Sequence, residues 1–117
     1  MTAPNIVNVT TITGKTAVQA VGTSATAIVT NSASSGKVLK LNALFVSNVD
    51  GTDNAEINVD IYRSNVAYHI AKTIVVPSDS TLDILSKAIY LEEGDALRLT
   101  ANATSDLEAV CSYEEIS

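Results

Sequence analysis

Apolar and polar residues alternate in short segments along this chain, and turn-forming residues separate the segments. The pattern predicts strands over residues 5–13, 17–21, 24–30, 37–48, 56–62, 67–76, 81–85, 88–91, 96–101 and 107–113. Alternation is clearest at 56–62, where the Ile and Val residues are predicted to face inward and Asp60 outward. No apolar stripe with helical spacing is present. The sequence therefore predicts an all-β fold, an antiparallel β-sandwich of the jelly-roll or Ig-like type with an extended N-terminal arm.

The two most regular neighbouring strands lie in the middle of the chain. A turn cluster at 50–54 connects the segments 37–48 and 56–62, so we expect these segments to form a hairpin. Alternation along the first of them places Leu41 and Phe45 on one face, although residues 43–46 are apolar on both faces, as in a central strand.

The first 36 residues are rich in Thr, Ser, Ala and Asn and contain few large side chains. Strands of this kind become stable when they pair with an existing sheet edge, in the same chain or in a neighbouring one. We therefore expect one domain, in which residues 1–36 form an N-terminal arm with edge strands and residues 37–117 form the sandwich core.

Charge is divided unevenly along the chain, whose net charge is -6. Residues 1–49 contain three lysines and no acid, whereas residues 50–117 contain all thirteen acids and four basic residues, which gives +3 and -9. Either the fold interleaves the two parts, or a mildly basic arm lies against an acidic neighbour and directs assembly. The acidic total argues against nucleic acid as a partner, because phosphates require clustered Lys and Arg.

The expected compartment follows from what the sequence lacks. No stretch approaches the roughly 18 apolar residues of a membrane span, and the N-terminus lacks the basic start and apolar run of a signal peptide. The single cysteine, Cys111, excludes an intrachain disulfide. We therefore expect the chain to be made and folded in a cytoplasm, with no membrane partner.

Residue types that carry out catalysis are scarce. The only histidine, His69, is predicted on a strand surface, and Cys111 is predicted on the inner face of the last strand with no base beside it. The acidic turns at 50–54 and 92–95 are weak calcium candidates, because they lack the ligand spacing of a calcium-binding loop. The sequence predicts a protein that is not an enzyme and holds no cofactor and no metal.

Four segments of the chain resemble a known group of proteins. AIYLEEGDALRLTA at 88–101 and DLEAVCSYEEIS at 106–117 are similar to small virion structural proteins of tailed bacteriophages, notably those of marine bacteria. LFVSNVDGT at 44–52 and IAKTIVVP at 70–77 extend the resemblance, which covers residues 37–117. It implies a particle component made in the host bacterium and located in the virion, either a head-decorating (cement) protein or a neck or tail accessory.

We therefore expect a capsid-decorating protein that binds the major capsid protein or another virion protein. Symmetric particles favour closed rings, so a homo-oligomer is expected, with a trimer favoured. An arm that pairs with a neighbour's sheet edge adds hydrogen bonds and buried area to each contact. The residues expected to act in this assembly arm are Ile6, Val7, Val9, Ile12 and Lys15.

The main alternative is a carbohydrate-binding or adhesin module of a tail or tail fibre. Tyr62, Tyr68 and Tyr90 are candidates to stack on sugars from the strand surfaces. The absence of Trp and of a clustered aromatic-plus-acid site argues against this alternative.

Overall fold

Two antiparallel sheets packed face to face form the protein, in a computed structural model that describes residues 4–117. Within these residues the strands are β1 (Ile12–Ala20), β2 (Thr26–Thr30), β3 (Val38–Asn48), β4 (Ala55–Arg63), β5 (Val66–Val76), β6 (Thr81–Asp83), β7 (Ile89–Leu91), β8 (Ala96–Ala101) and β9 (Leu107–Ile116). This part of the chain contains no helix, and so none that is long and apolar enough to cross a membrane. The predicted all-β antiparallel sandwich is confirmed.

The strand order is that of a jelly roll. The first sheet runs β1-β9-β3, and both β6 and β7 pair with the remaining side of β3. The second sheet runs β2-β8-β4-β5. An eight-stranded jelly roll has this order when one of its strands is split, here into β6 and β7. The two N-terminal strands are edge strands, one in each sheet, because β1 pairs only with β9 and β2 only with β8.

The predicted hairpin between the segments 37–48 and 56–62 is wrong. β3 lies in the first sheet and β4 in the second, and the true hairpin is β4–β5. The chain crosses between the sheets just after β3, where Asn48 Nδ2 donates hydrogen bonds of 2.9 Å to the carbonyl oxygens of Asp53 and Val76. Both strands are central in their sheets, because β3 pairs with β9 and β4 pairs with β8, and these partners are distant in the sequence.

A bulge changes the inward face of β3. Its register against β9 shifts between Leu41 and Ala43, so the alternation reverses at that point. Leu44 and Val46 are fully buried beyond the bulge, whereas Phe45 is 41% exposed. The prediction that Phe45 shares a face with Leu41 is therefore wrong, since strict alternation does not continue through an inserted residue.

The predicted strand at 5–13 is wrong over its first part. Residues 5–8 form a turn, in which the Asn8 N–H donates to the Asn5 carbonyl oxygen at 2.9 Å and the Val7 N–H to Asn5 Oδ1 at 3.0 Å. Asparagine stabilises such turns by bonding the backbone two residues on. β1 begins at Ile12 and continues without a break through residues 14–16, which separate the predicted segments 5–13 and 17–21.

The core lies between the two sheets and consists almost wholly of aliphatic side chains. Its largest fully buried members are Leu41, Leu44, Ile57, Leu91, Leu97, Leu99 and Leu107. Burying each such side chain stabilises the fold by about 1.5–3 kcal/mol relative to leaving it exposed.

The predicted outward residue Asp60 lies on the outer face of the second sheet but is only 2% exposed. Arg98 covers it, with Nε donating to Asp60 Oδ1 at 3.0 Å and the guanidinium stacked 3.8 Å from the centre of the Tyr62 ring. Burial of this carboxylate is tolerated because a charge-assisted hydrogen bond satisfies it.

Candidate assembly surface

The free edge of β1 presents a regular row of backbone groups. The N–H groups of Thr11 and Val21 donate to the carbonyl oxygens of Ser117 and Leu107, both at 2.9 Å, so the odd-numbered residues of β1 bond toward β9. In an antiparallel ladder the alternate residues then point their N–H and C=O groups away from the partner strand. The outward-pointing residues are Ile12, Gly14, Thr16, Val18 and Ala20.

The other sheet edges among residues 4–117 are shorter or irregular. β5 carries two bulges against β4, and Thr73 within it has a positive φ of 53°. β2 has five residues and one bulge, and β6 and β7 have three residues each. Short and bulged edges resist pairing with other chains. β1, with nine residues in unbroken register, is the edge that lacks these protections.

An apolar row crosses the outer face of the first sheet next to this edge. Val18 pairs with Val110, and Val110 pairs with Phe45, so the three side chains lie side by side on adjacent strands. They are 74%, 38% and 41% exposed respectively. We call Val18, Val110 and Phe45 the outer apolar row. Alternation placed the apolar residue Val110 on the outer face of the last strand, but nothing in the sequence indicated that Val18 and Phe45 lie beside it.

The predicted assembly-arm residues lie in two places. Ile6, Val7 and Val9 belong to the segment before β1, where Ile6 is 50% and Val7 90% exposed. Ile12 and Lys15 lie in β1 itself. The segment before β1 runs beside the C-terminus, because the Thr10 N–H donates to the Ser117 carbonyl oxygen at 2.7 Å.

The charge of Lys15 is paired within the chain. Lys15 Nζ lies 3.1 Å from Glu115 Oε2, and Lys37 Nζ lies 2.6 Å from Glu115 Oε1. Hydrogen bonds from Lys37 and then Lys15 hold the pKa of Glu115 below its usual value, and the Glu115 hydrogen bond raises the pKa of Lys15. The basic N-terminal part and the acidic C-terminal part of the chain are therefore interleaved at this point, and the free edge of β1 has no unpaired lysine.

Two of the three predicted sugar-stacking tyrosines come together. Tyr68 and Tyr90, 59% and 39% exposed, line one open pocket with Arg63, Ile61 and Ile89. Tyr62, in contrast, packs under the Arg98 guanidinium. The pocket combines two aromatic faces with a charged rim, an arrangement that suits a small polar ring.

The residues considered for catalysis remain apart. His69 is exposed in β5, as predicted. Cys111 is fully buried, also as predicted, and burial raises the pKa of its thiol to about 11. A thiol held in this form is a poor nucleophile. Within residues 4–117 no group of three or more His, Cys, Asp or Glu side chains is placed to hold a metal ion.

The acidic turn at 92–95 has a structural partner. Arg63 Nε and Nη2 donate to the two carboxylate oxygens of Asp95 at 2.7 and 2.6 Å, and the Glu92 N–H donates to Asp95 Oδ2 at 2.9 Å. Asp95 is 1% exposed. Its carboxylate therefore fixes the turn between β7 and β8 and ties it to the end of β4.

Comparison with known proteins supports the fold. No family profile and no curated protein sequence matches the chain. Among solved structures it is similar to a protein of Bacillus endospore appendages, which are described as a novel family of disulfide-linked pili. The TM-score is 0.53 with 15% sequence identity, over 92% of this chain and 88% of that one. This likeness establishes a shared fold.

Proposed function

We propose that this chain is a non-enzymatic structural subunit of a tailed-phage virion, which decorates the capsid and associates with other copies of itself. The observation that carries the proposal is the long, regular and unpaired edge of β1 beside the outer apolar row. Unprotected edges and exposed apolar patches are features of surfaces that bind protein. Residues 88–101 and 106–117 resemble virion proteins, and this resemblance is the reason for proposing a phage virion as the particle.

The likeness to the endospore-appendage protein supports a structural role, since that protein is described as forming pili. Those pili are described as disulfide-linked, whereas this chain has one cysteine. Cys111 is buried and its thiol pKa is raised, so it does not react with a neighbour while the domain is folded. Contacts between copies of this chain are therefore proposed to be noncovalent.

The segment before β1 is proposed to contact the capsid. Ile6 and Val7 are exposed at the end of the sandwich that holds the C-terminus, and Val7 is the more exposed at 90%. Apolar side chains that a turn already holds in place bury surface on binding and lose little conformational freedom. The opposite end of the molecule, where β3 ends, carries the comparable residue Val49, 51% exposed.

The copy number in purified particles tests the proposal. Mass spectrometry against the major capsid protein is expected to give hundreds of copies per particle if the chain decorates the capsid. A few copies would instead place it at the neck, baseplate or fibre, and absence from the particle would refute the virion assignment.

The capsid contact can be tested by deletion and by point substitution. A chain lacking residues 1–8 keeps all of β1 and is expected to keep its melting temperature but to lose occupancy on particles. Val7→Asp is expected to lower occupancy, and Val49→Asp serves as the matched control at the other end. Full occupancy of the shortened chain would contradict a capsid contact by this segment.

A second candidate function, binding of a neutral sugar, is favoured by one observation, the pocket that Tyr68 and Tyr90 share. A glycan array tests it directly. Binding that Tyr90→Ala abolishes and Phe45→Ala preserves would support it, because Phe45 is an equally exposed aromatic residue of the same sheet that does not line the pocket. An array without any signal would end this candidate.

A further inference from the structure

We propose that two copies of this chain join edge to edge through antiparallel β1 strands, related by a two-fold axis at Thr16. The inference rests on the self-association in the proposed function and names its surface, its partner and its register. In this dimer the first sheets of the two copies form one continuous sheet across the axis, because the β1 edge of each copy pairs with β1 of the other copy.

The register follows from which backbone groups are free. With the axis at Thr16, Thr16 pairs with Thr16 of the second copy, Gly14 with Val18, and Ile12 with Ala20. Every outward-pointing residue of β1 then has an outward-pointing partner. Each such pair exchanges two N–H···O=C hydrogen bonds. An axis at any other residue of β1 leaves part of the row unpaired.

Gly14 is a second indication that another strand lies along this edge. Glycine inside a strand lowers stability, and such a glycine often marks a place where another chain approaches closely. Nothing in the monomer requires it: a Cβ at Gly14 would meet no atom within 4 Å, and Gly14 is not among the residues with positive φ. In the proposed dimer it lies opposite Val18 of the second copy.

The charges of β1 agree with pairing between identical copies. Lys15 is its single charged residue, and Glu115 of the same chain already pairs with it at 3.1 Å. The axis at Thr16 places Lys15 opposite Ala17 of the second copy. An axis at Lys15, one residue away, would set the two Lys15 side chains directly opposite each other, which is unfavourable. No carboxylate lies on the strand, although the chain carries a net charge of -6.

A proline in place of Thr16 separates this role from a merely structural one. The Thr16 N–H points away from β9, so Thr16→Pro removes no hydrogen bond within the monomer and is expected to change its melting temperature little. In the dimer the same substitution removes both hydrogen bonds at the axis, so dimerisation is expected to weaken by about tenfold or more, which corresponds to about 1.4 kcal/mol or more. Thr16→Val is the matched control, because valine keeps the N–H and is also β-branched.

Sedimentation equilibrium across the micromolar range measures the dimer. A wild-type chain that stays monomeric, a trimer, or a Thr16→Pro dimer of undiminished affinity would each overturn the inference. The copy number in particles is measured separately, so a capsid-bound monomer would refute this dimer and leave the proposed function standing.

Discussion

Removing Arg63 is expected to destabilise the protein more than removing Asp95, although the two residues form one ion pair. The carboxylate of Asp95 is 2% exposed, whereas the side chain of Arg63 is 47% exposed. Arg63→Met leaves a buried carboxylate whose remaining hydrogen bond is the Glu92 N–H at 2.9 Å. Asp95→Ala leaves a guanidinium that water and Glu92, 2.9 Å away, continue to solvate.

The magnitudes follow from this difference in exposure. Breaking a buried pair costs about 3–5 kcal/mol when the remaining charge stays buried and unpaired. Arg63 is half exposed, which weakens the original pair, so Arg63→Met is expected to lower the free energy of unfolding by about 2–3 kcal/mol. Asp95→Ala removes hydrogen bonds without stranding a charge and is expected to cost about 1–1.5 kcal/mol.

The dependence on pH should differ as well. Burial alone would raise the pKa of Asp95, but hydrogen bonds from Arg63 and the Glu92 backbone hold it below the usual value. The stability that this lowered pKa provides is present at neutral pH and is lost as the pH falls through the folded-state pKa. Without Arg63, burial dominates and the pKa rises. The variant then regains stability as the pH falls from about 7 to about 5, because the folded state takes up a proton.

Urea unfolding of both variants at these two pH values measures the effect. The wild-type protein, whose Asp95 stays ionised over this range, is the reference. If Asp95→Ala is as damaging as Arg63→Met at neutral pH, or if the loss in Arg63→Met does not shrink on acidification, the reasoning from burial is refuted.

Three further predictions concern single positions. Asp106→Asn is expected to raise the melting temperature at neutral pH, with a gain that disappears in acid, because burial and the neighbouring Asp50 raise the pKa of Asp106 and its ionisation disfavours the fold. Thermal scans over pH check this, and an unchanged melting temperature at neutral pH would contradict it. The Cys111 thiol is expected to resist a disulfide reagent until the protein unfolds, and rapid labelling of the native chain would disprove its burial. Leu44→Ala is expected to cost about 2–5 kcal/mol in urea unfolding and Phe45→Ala less than about 1.5 kcal/mol, and similar values would argue against the bulge in β3.

The fold class and most strand positions could be predicted from the sequence, because alternation and turn residues are local properties. Strand pairing could not, since it joins residues far apart. β9, at the end of the chain, pairs with both β1 and β3, and this leaves β4 to the other sheet. Phe45 shows a second limit of prediction from sequence. One inserted residue reverses the face of every later residue in β3, and nothing in the local sequence marks the bulge.

The sequence indicated some apolar residues of the candidate surface but not where strand pairing would bring them together. Exposed apolar residues in the N-terminal segment followed from its sequence, but the outer apolar row joins Val18 and Phe45 through Val110, a residue near the opposite end of the chain. The pocket shared by Tyr68 and Tyr90 likewise joins β5 of the second sheet to β7 of the first. Both surfaces exist only once distant strands are in register, so no local pattern reveals them.

Salt separates the two interpretations of the uneven charge. If a basic arm held an acidic neighbour, added salt would screen the attraction and weaken assembly. In the proposed β1 dimer the contact would carry no unpaired charge, since Glu115 already pairs with Lys15 and Lys37, while each copy would repel the other through a net charge of -6. Screening then removes repulsion alone. Dimerisation of the wild-type chain is therefore expected to strengthen as sodium chloride is raised. Weakening with salt, measured by sedimentation equilibrium, would show that attraction between opposite charges holds the copies together and that backbone pairing along the β1 edge does not.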